Sequence, residues 1–172
     1  MCAVTRRMTL SREHRRYLLI EQALAGVIIN VAIAALLGWL FFRNVERVPI
    51  AGMGGAMVDT IVSAFMIAFA TCLAVTRVAR GDVRRGRIAP LDGGALSAAM
   101  PQGVVARAIA LGGACAAVVS LVLFAVWVRF GNRDVLLRHF IVFKLGFAAL
   151  EGALITPLIA FAAISRAAEE PR

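Results

Sequence analysis

The chain is poor in most of what chemistry at a soluble active site draws on. It has three cysteines, two histidines, one tyrosine and ten acidic residues among 172. Cys2, Cys72 and Cys115 stand far apart with no C-x-x-C pair, so neither a redox couple nor a zinc site is indicated. No nucleophile–base set, metal-ligand cluster or pair of carboxylates at one depth stands out, which argues against an enzyme, and neither a cofactor nor a metal is expected. Lysine is reduced to Lys144 alone, and arginine supplies the rest of the 19 basic residues, a bias that resembles coding in a GC-rich bacterium.

What the chain has is apolar residues in blocks. It is 61% hydrophobic, against roughly 45–50% for a soluble domain, and so short a chain cannot bury the excess in a soluble core. Residues 23–42, 57–76, 108–128 and 145–165 each hold at most one charge. About 20 helical residues at 1.5 Å rise cross a hydrocarbon core of about 30 Å. The expected fold is therefore all-α, a polytopic membrane protein built as a four-helix transmembrane bundle in one domain. The spans are placed at 18–42, 57–76, 105–128 and 140–165. They are joined by a basic loop at 77–104 and flanked by tails at 1–17 and 166–172. The first block carries the small-x-small run Ala32-Ile33-Ala34 but continues to Phe42, longer than the h-region of about 7–15 residues in a secretory signal.

The basic residues set the orientation. Thirteen fall in the two tails and the connection between the second and third spans, against six in the other two loops. The positive-inside rule then puts both termini in the cytoplasm, in the bacterial inner membrane. The net charge of +9 follows from the same residues. These arginines flank membrane segments and lack interleaved aromatics, so no nucleic-acid partner is expected. Arg77, Arg80, Arg84, Arg85 and Arg87 form the densest group and are candidates for holding anionic lipid headgroups.

Loops and helix faces come next. Pro49 and the glycines after it read as a turn, and Gly52-x-Gly54 lacks the surroundings of a dinucleotide fingerprint. PLDGGALSAAMPQG, from Pro90, reads as either a short interfacial helix or an irregular cap. Ala106, Ala110, Gly113, Ala117 and Ser120 recur at helical spacing on one face of the third span. Small residues permit close helix contact, so this face is expected to be a packing seam, preferably within the chain. Ala148-x-x-x-Gly152 offers close approach on the fourth span.

Ionisable groups inside a bilayer are costly, and there are few of them. Asn30 lies about 18 Å into the first span, and Glu151 lies about 10–16 Å below the outer face of the fourth, at 1.5 Å per residue. The depths overlap, so the two are expected to meet. Asp59 and Lys144 sit near the outer face, which predicts a polar line Asp59, Lys144, Glu151, Asn30. Pro157 removes an amide from the fourth helix and is expected to kink it.

Val48-Pro49, Asp59, Phe65, Thr71, Thr76 and Ile155-Thr156-Pro157-Leu158 are laid out along much of the chain. In that layout the chain resembles uncharacterised bacterial four-span membrane proteins loosely labelled permeases. The resemblance implies a transport-related role and no particular substrate. Two readings follow. In the first, the protein is a transporter or channel subunit with Glu151 as its protonatable or ion-binding carboxylate, working as a homo-oligomer or with another membrane protein. In the second, it is a non-catalytic assembly or regulatory protein whose buried polar residues hold helices together.

Overall fold

A computed structural model describes residues 11–91, 100–131 and 133–167. Outside the described residues lie Cys2 and the start of the basic tail, residues 92–99, on which the choice between interfacial helix and cap rests, and the last five residues of the chain. The fold is an all-α bundle of four helices, each long and apolar enough to cross a membrane. They are α1 (Arg12–Phe42), α2 (Ala56–Arg84), α3 (Val104–Phe130) and α4 (Leu137–Ala167). The chain is a multi-pass membrane protein.

Two helix ends differ from the expected spans. α1 starts in the basic tail, where Ser11 caps it by accepting from the His14 amide at 3.3 Å. A π-helical turn follows at Tyr17–Gln22 before regular α-helix resumes. α2 runs on to Arg84, so Arg77, Arg80 and Arg84 are helical and not in a loop. Nothing before Gly86 stops it. There the backbone turns left-handed at φ 71°, and Gly86 N donates to Val83 O at 3.0 Å while Arg87 N donates to Asp82 O at 2.9 Å. A side chain at that position would strain this closure.

The two loops at the end of the bundle away from the chain termini form more than a turn. Strand β1 (Arg47–Pro49) pairs antiparallel with β2 (Asp134–Leu136), with Val48 opposite Val135. Val48 is fully buried beneath the ribbon with Phe42 and Phe140, whose rings meet edge to face at 5.0 Å. The ribbon ties the end of α1 to the start of α4, because Leu137 N donates to Glu46 O at 3.0 Å.

The helices pack in the order α1, α4, α2, α3. Half of the apolar window of α4 is buried but only 6% of that of α3, so α4 is central and α3 peripheral. α1 reaches α4 through Gly26, Asn30, Ala34 and Gly38, buried at spacings of four. A Cβ on Gly26 would overlap Thr156 Oγ1, and a Cβ on Gly152 would lie 2.8 Å from Gly26 O. Glycine on glycine lets these backbones nearly touch.

The seam on α3 is not where it was expected. Ala106, Ala110, Gly113 and Ala117 are exposed, Ser120 is half-buried, and a Cβ on Gly113 would meet nothing within 4 Å. α3 packs within the chain through the next face round, Ala108 and Gly112, where a Cβ on Gly112 would press into the Phe65 ring at 2.9 Å. Both faces of α3 are rich in small residues, and only the position of Phe65 and Cys72 on α2 chooses between them.

Candidate functional site

Lys144 and Asp59 meet, as their shared depth predicts. Lys144 Nζ donates to Asp59 Oδ2 at 2.5 Å and to Ser63 Oγ at 3.3 Å. The ammonium also lies 5.9 and 5.8 Å from the centroids of Phe42 and Phe140, within cation–π range. The pair is nearly out of solvent, at 4% and 17% side-chain exposure, and clamps α2 to α4 at the ends nearest the β1–β2 ribbon.

The expected pair of Asn30 and Glu151 is not made. Thr71 Oγ1 on α2 instead donates to Asn30 Oδ1 at 3.3 Å, and Asn30 sits over Gly152, where an added Cβ would lie 2.7 Å from Nδ2. Asn30 thus joins α1, α2 and α4 at mid-bundle. Glu151 precedes Gly152 by one residue, so it projects about 100° away around the helix, given 3.6 residues per turn. Matching depth was necessary for a pair and not sufficient, because α4 turns its glycine face to α1.

Glu151 points instead toward α3. It is 7% exposed, and neither carboxylate oxygen has a hydrogen-bond partner among the described residues. It lies at the floor of an apolar groove between α3 and α4, with Cys115, Val119, Phe147, Leu150 and Ile155 among its neighbours. The groove continues toward the β1–β2 ribbon past Val118, Val122 and Phe143 to His139. Of the four residues predicted to form one polar line, two are joined to each other, one is joined to Thr71, and Glu151 stands apart.

Pro157 lies inside a helix that runs unbroken from Leu137 to Ala167. Its neighbour Thr156 is fully buried, and Thr156 Oγ1, packed against Gly26, makes no hydrogen bond among the described residues.

A second polar group, missed in the sequence, closes the end of the bundle opposite the ribbon. Tyr17 Oη donates to Asp82 Oδ2 at 2.8 Å. Arg87 lies 3.7 Å from Asp82 and 3.4 Å from Glu21. His14, bonded to Ser11 Oγ at 2.6 Å, reaches Ala89 O at 2.9 Å through Nε2. Arg87, grouped with the lipid-headgroup candidates, is thereby tied within the chain, whereas Arg77 and Arg85 are exposed. The available signal was Asp82, an acid set among arginines at a spacing that puts it on the buried face of an extended α2. Arg107, counted with the orienting charges, is fully buried in the first turns of α3.

Among the described residues no group of three or more His, Cys, Asp or Glu side chains is placed to hold a metal ion. No protein-family model, curated protein or solved structure matches the chain.

Proposed function

We propose that the protein is a small transporter or channel subunit of the bacterial inner membrane, with both termini cytoplasmic, in which Glu151 takes up and releases a proton or cation. The observation that carries this reading is the isolation of Glu151. Lys144 is paired with Asp59 and Ser63, and Asn30 accepts from Thr71, whereas the carboxyl of Glu151, an ionisable group, is buried without a hydrogen bond among the described residues. A carboxyl left unsatisfied in hydrocarbon costs stability, and such groups mark ion and proton paths in membrane proteins. The reading includes no catalytic step.

Four helices rarely enclose a path by themselves, so in this reading the subunit works in an assembly, either with copies of itself or with another membrane protein. The exposed stripe Ala106, Ala110, Gly113 and Ala117 supports α3 as the contact helix. Arg77 and Arg85 are free to meet anionic lipid headgroups at the inner face.

The test uses proteoliposomes with a pH-sensitive dye inside and an imposed pH gradient, to which monovalent cations and organic amines are added outside in turn. Wild type relaxes the gradient with at least one of them and Glu151→Gln does not. Equal relaxation by the two proteins, or none by either, rejects the proposal. A non-catalytic assembly or regulatory protein is then the better reading, and the Lys144–Asp59 and Thr71–Asn30 contacts between helices are what favour it.

A further inference from the structure

α4 packs against both α1 and α2, and the gap those two leave between them holds two cavities end to end. One lies beneath the ribbon, has a volume of about 540 Å³ and is walled by Phe41, Phe42, Val58, Asp59 and Val62. The other lies further into the bundle, has a volume of about 250 Å³ and is walled by Ile33, Leu37, Ser63, Met66 and Thr71. On α1 the step from Phe41 to Leu37, and on α2 the step from Asp59 to Ser63, is about one helical turn. One turn therefore separates the cavities.

Lys144 occupies that turn. Its stem crosses the bare backbone of Gly38, where a Cβ would lie 3.7 Å from Lys144 Cδ. Its ammonium then bonds Asp59 on the wall of the ribbon-side cavity and Ser63 on the wall of the mid-bundle cavity, at 2.5 and 3.3 Å. A single flexible side chain from α4 thus stands between two spaces whose walls come from α1 and α2. Asp59 keeps 17% side-chain exposure and Lys144 only 4%. A cation arriving from the ribbon side meets the carboxylate first and competes for it with the ammonium.

We propose that Lys144 is a bolt between the two cavities, and that its release from Asp59 and Ser63 joins them into one passage for a small cation. The released groups select the cargo. Asp59 beside Ser63 already holds an ammonium, whereas its charge repels an anion. This passage lies on the α1–α2 side and does not involve Glu151, which faces α3.

A thiol on the wall of the mid-bundle cavity reads the bolt. Ala70→Cys is placed in a Cys2→Ser, Cys72→Ala, Cys115→Ala background and reconstituted in lipid nanodiscs. Its rate of modification is measured with 2-(trimethylammonium)ethyl methanethiosulfonate, whose fixed charge keeps it out of lipid. Lys144→Met raises the rate about tenfold, and Ser63→Ala, which removes one hydrogen bond and keeps the ion pair, raises it about threefold. The anionic 2-sulfonatoethyl reagent stays slow throughout. Unchanged rates in both variants mean that the cavities stay separate, and fast modification with Lys144 and Ser63 intact means that nothing is bolted; either overturns the proposal. Equal acceleration of both reagents denies the passage its preference for cations and overturns it as well. N-ethylmaleimide, which arrives through lipid, reacts alike with every variant; a rise matching that of the charged reagent would show a loosened bundle and no passage. Where circular dichroism finds Lys144→Met unfolded, Ser63→Ala decides alone.

Discussion

Lys144 Nζ and Asp59 Oδ2 stand 2.5 Å apart under the β1–β2 ribbon, with the Phe42 and Phe140 rings beside the ammonium. Removing one partner leaves the other buried and uncompensated, which costs about 3–5 kcal/mol. Lys144→Ala and Asp59→Asn are each expected to lower the melting temperature strongly in detergent. The double replacement Lys144→Met with Asp59→Leu recovers most of the loss, since a well-packed apolar pair substitutes for a buried ion pair. Additive losses in the double variant would show that the two side chains do not depend on each other.

Glu151 stands opposite in kind. Its carboxyl makes no hydrogen bond among the described residues, so Glu151→Gln leaves thermal stability unchanged within about 1 kcal/mol, and Glu151→Leu raises it by up to about 2 kcal/mol. A melt in which Glu151→Leu is the less stable protein would expose a structural partner and return the residue to the scaffold.

Adjacent glycines on α3 are expected to behave differently. Gly112→Ala forces a Cβ against Phe65 and loses about 1–3 kcal/mol by overpacking. Gly113→Ala meets open space and gains about 0.5–1 kcal/mol in helix preference. Ala117→Trp on the exposed stripe leaves the subunit folded and reduces the mass of the assembly seen by light scattering in mild detergent. If that mass is unchanged, α3 is not the contact helix.

At the end opposite the ribbon, Tyr17→Phe removes the hydroxyl bonded to the buried Asp82 carboxyl and costs about 1–3 kcal/mol, because a buried acceptor loses its donor. Limited proteolysis then cuts the start of α1 faster than in wild type. An unchanged cleavage rate would show that the apolar contacts of Tyr17 and Leu18 hold α1 without the hydroxyl.

The proposed cytoplasmic placement of the termini has its own measurement. In a Cys72→Ala, Cys115→Ala background, a membrane-impermeant maleimide labels Cys2 in inverted vesicles and not in intact spheroplasts. The opposite pattern reverses the topology.

By itself the sequence determined the class and the number of spans, because burying long apolar runs in a bilayer is a property of composition and length. It also brought Lys144 and Asp59 together, because a shared depth near one face left few other partners. What it did not decide was which helix faces meet. Asn30 and Glu151 share a depth, and yet Gly26 and Gly152 turn the α1–α4 contact so that Asn30 goes to Thr71 and Glu151 faces α3. The small residues on α3 read as a seam, but Phe65 takes the neighbouring face, while the stripe that packs α1 was Gly26, Ala34 and Gly38. Depth along a membrane helix follows from counting residues. Rotation about its axis is set by which small residues allow the closest backbone approach, and that is a property of two helices at once.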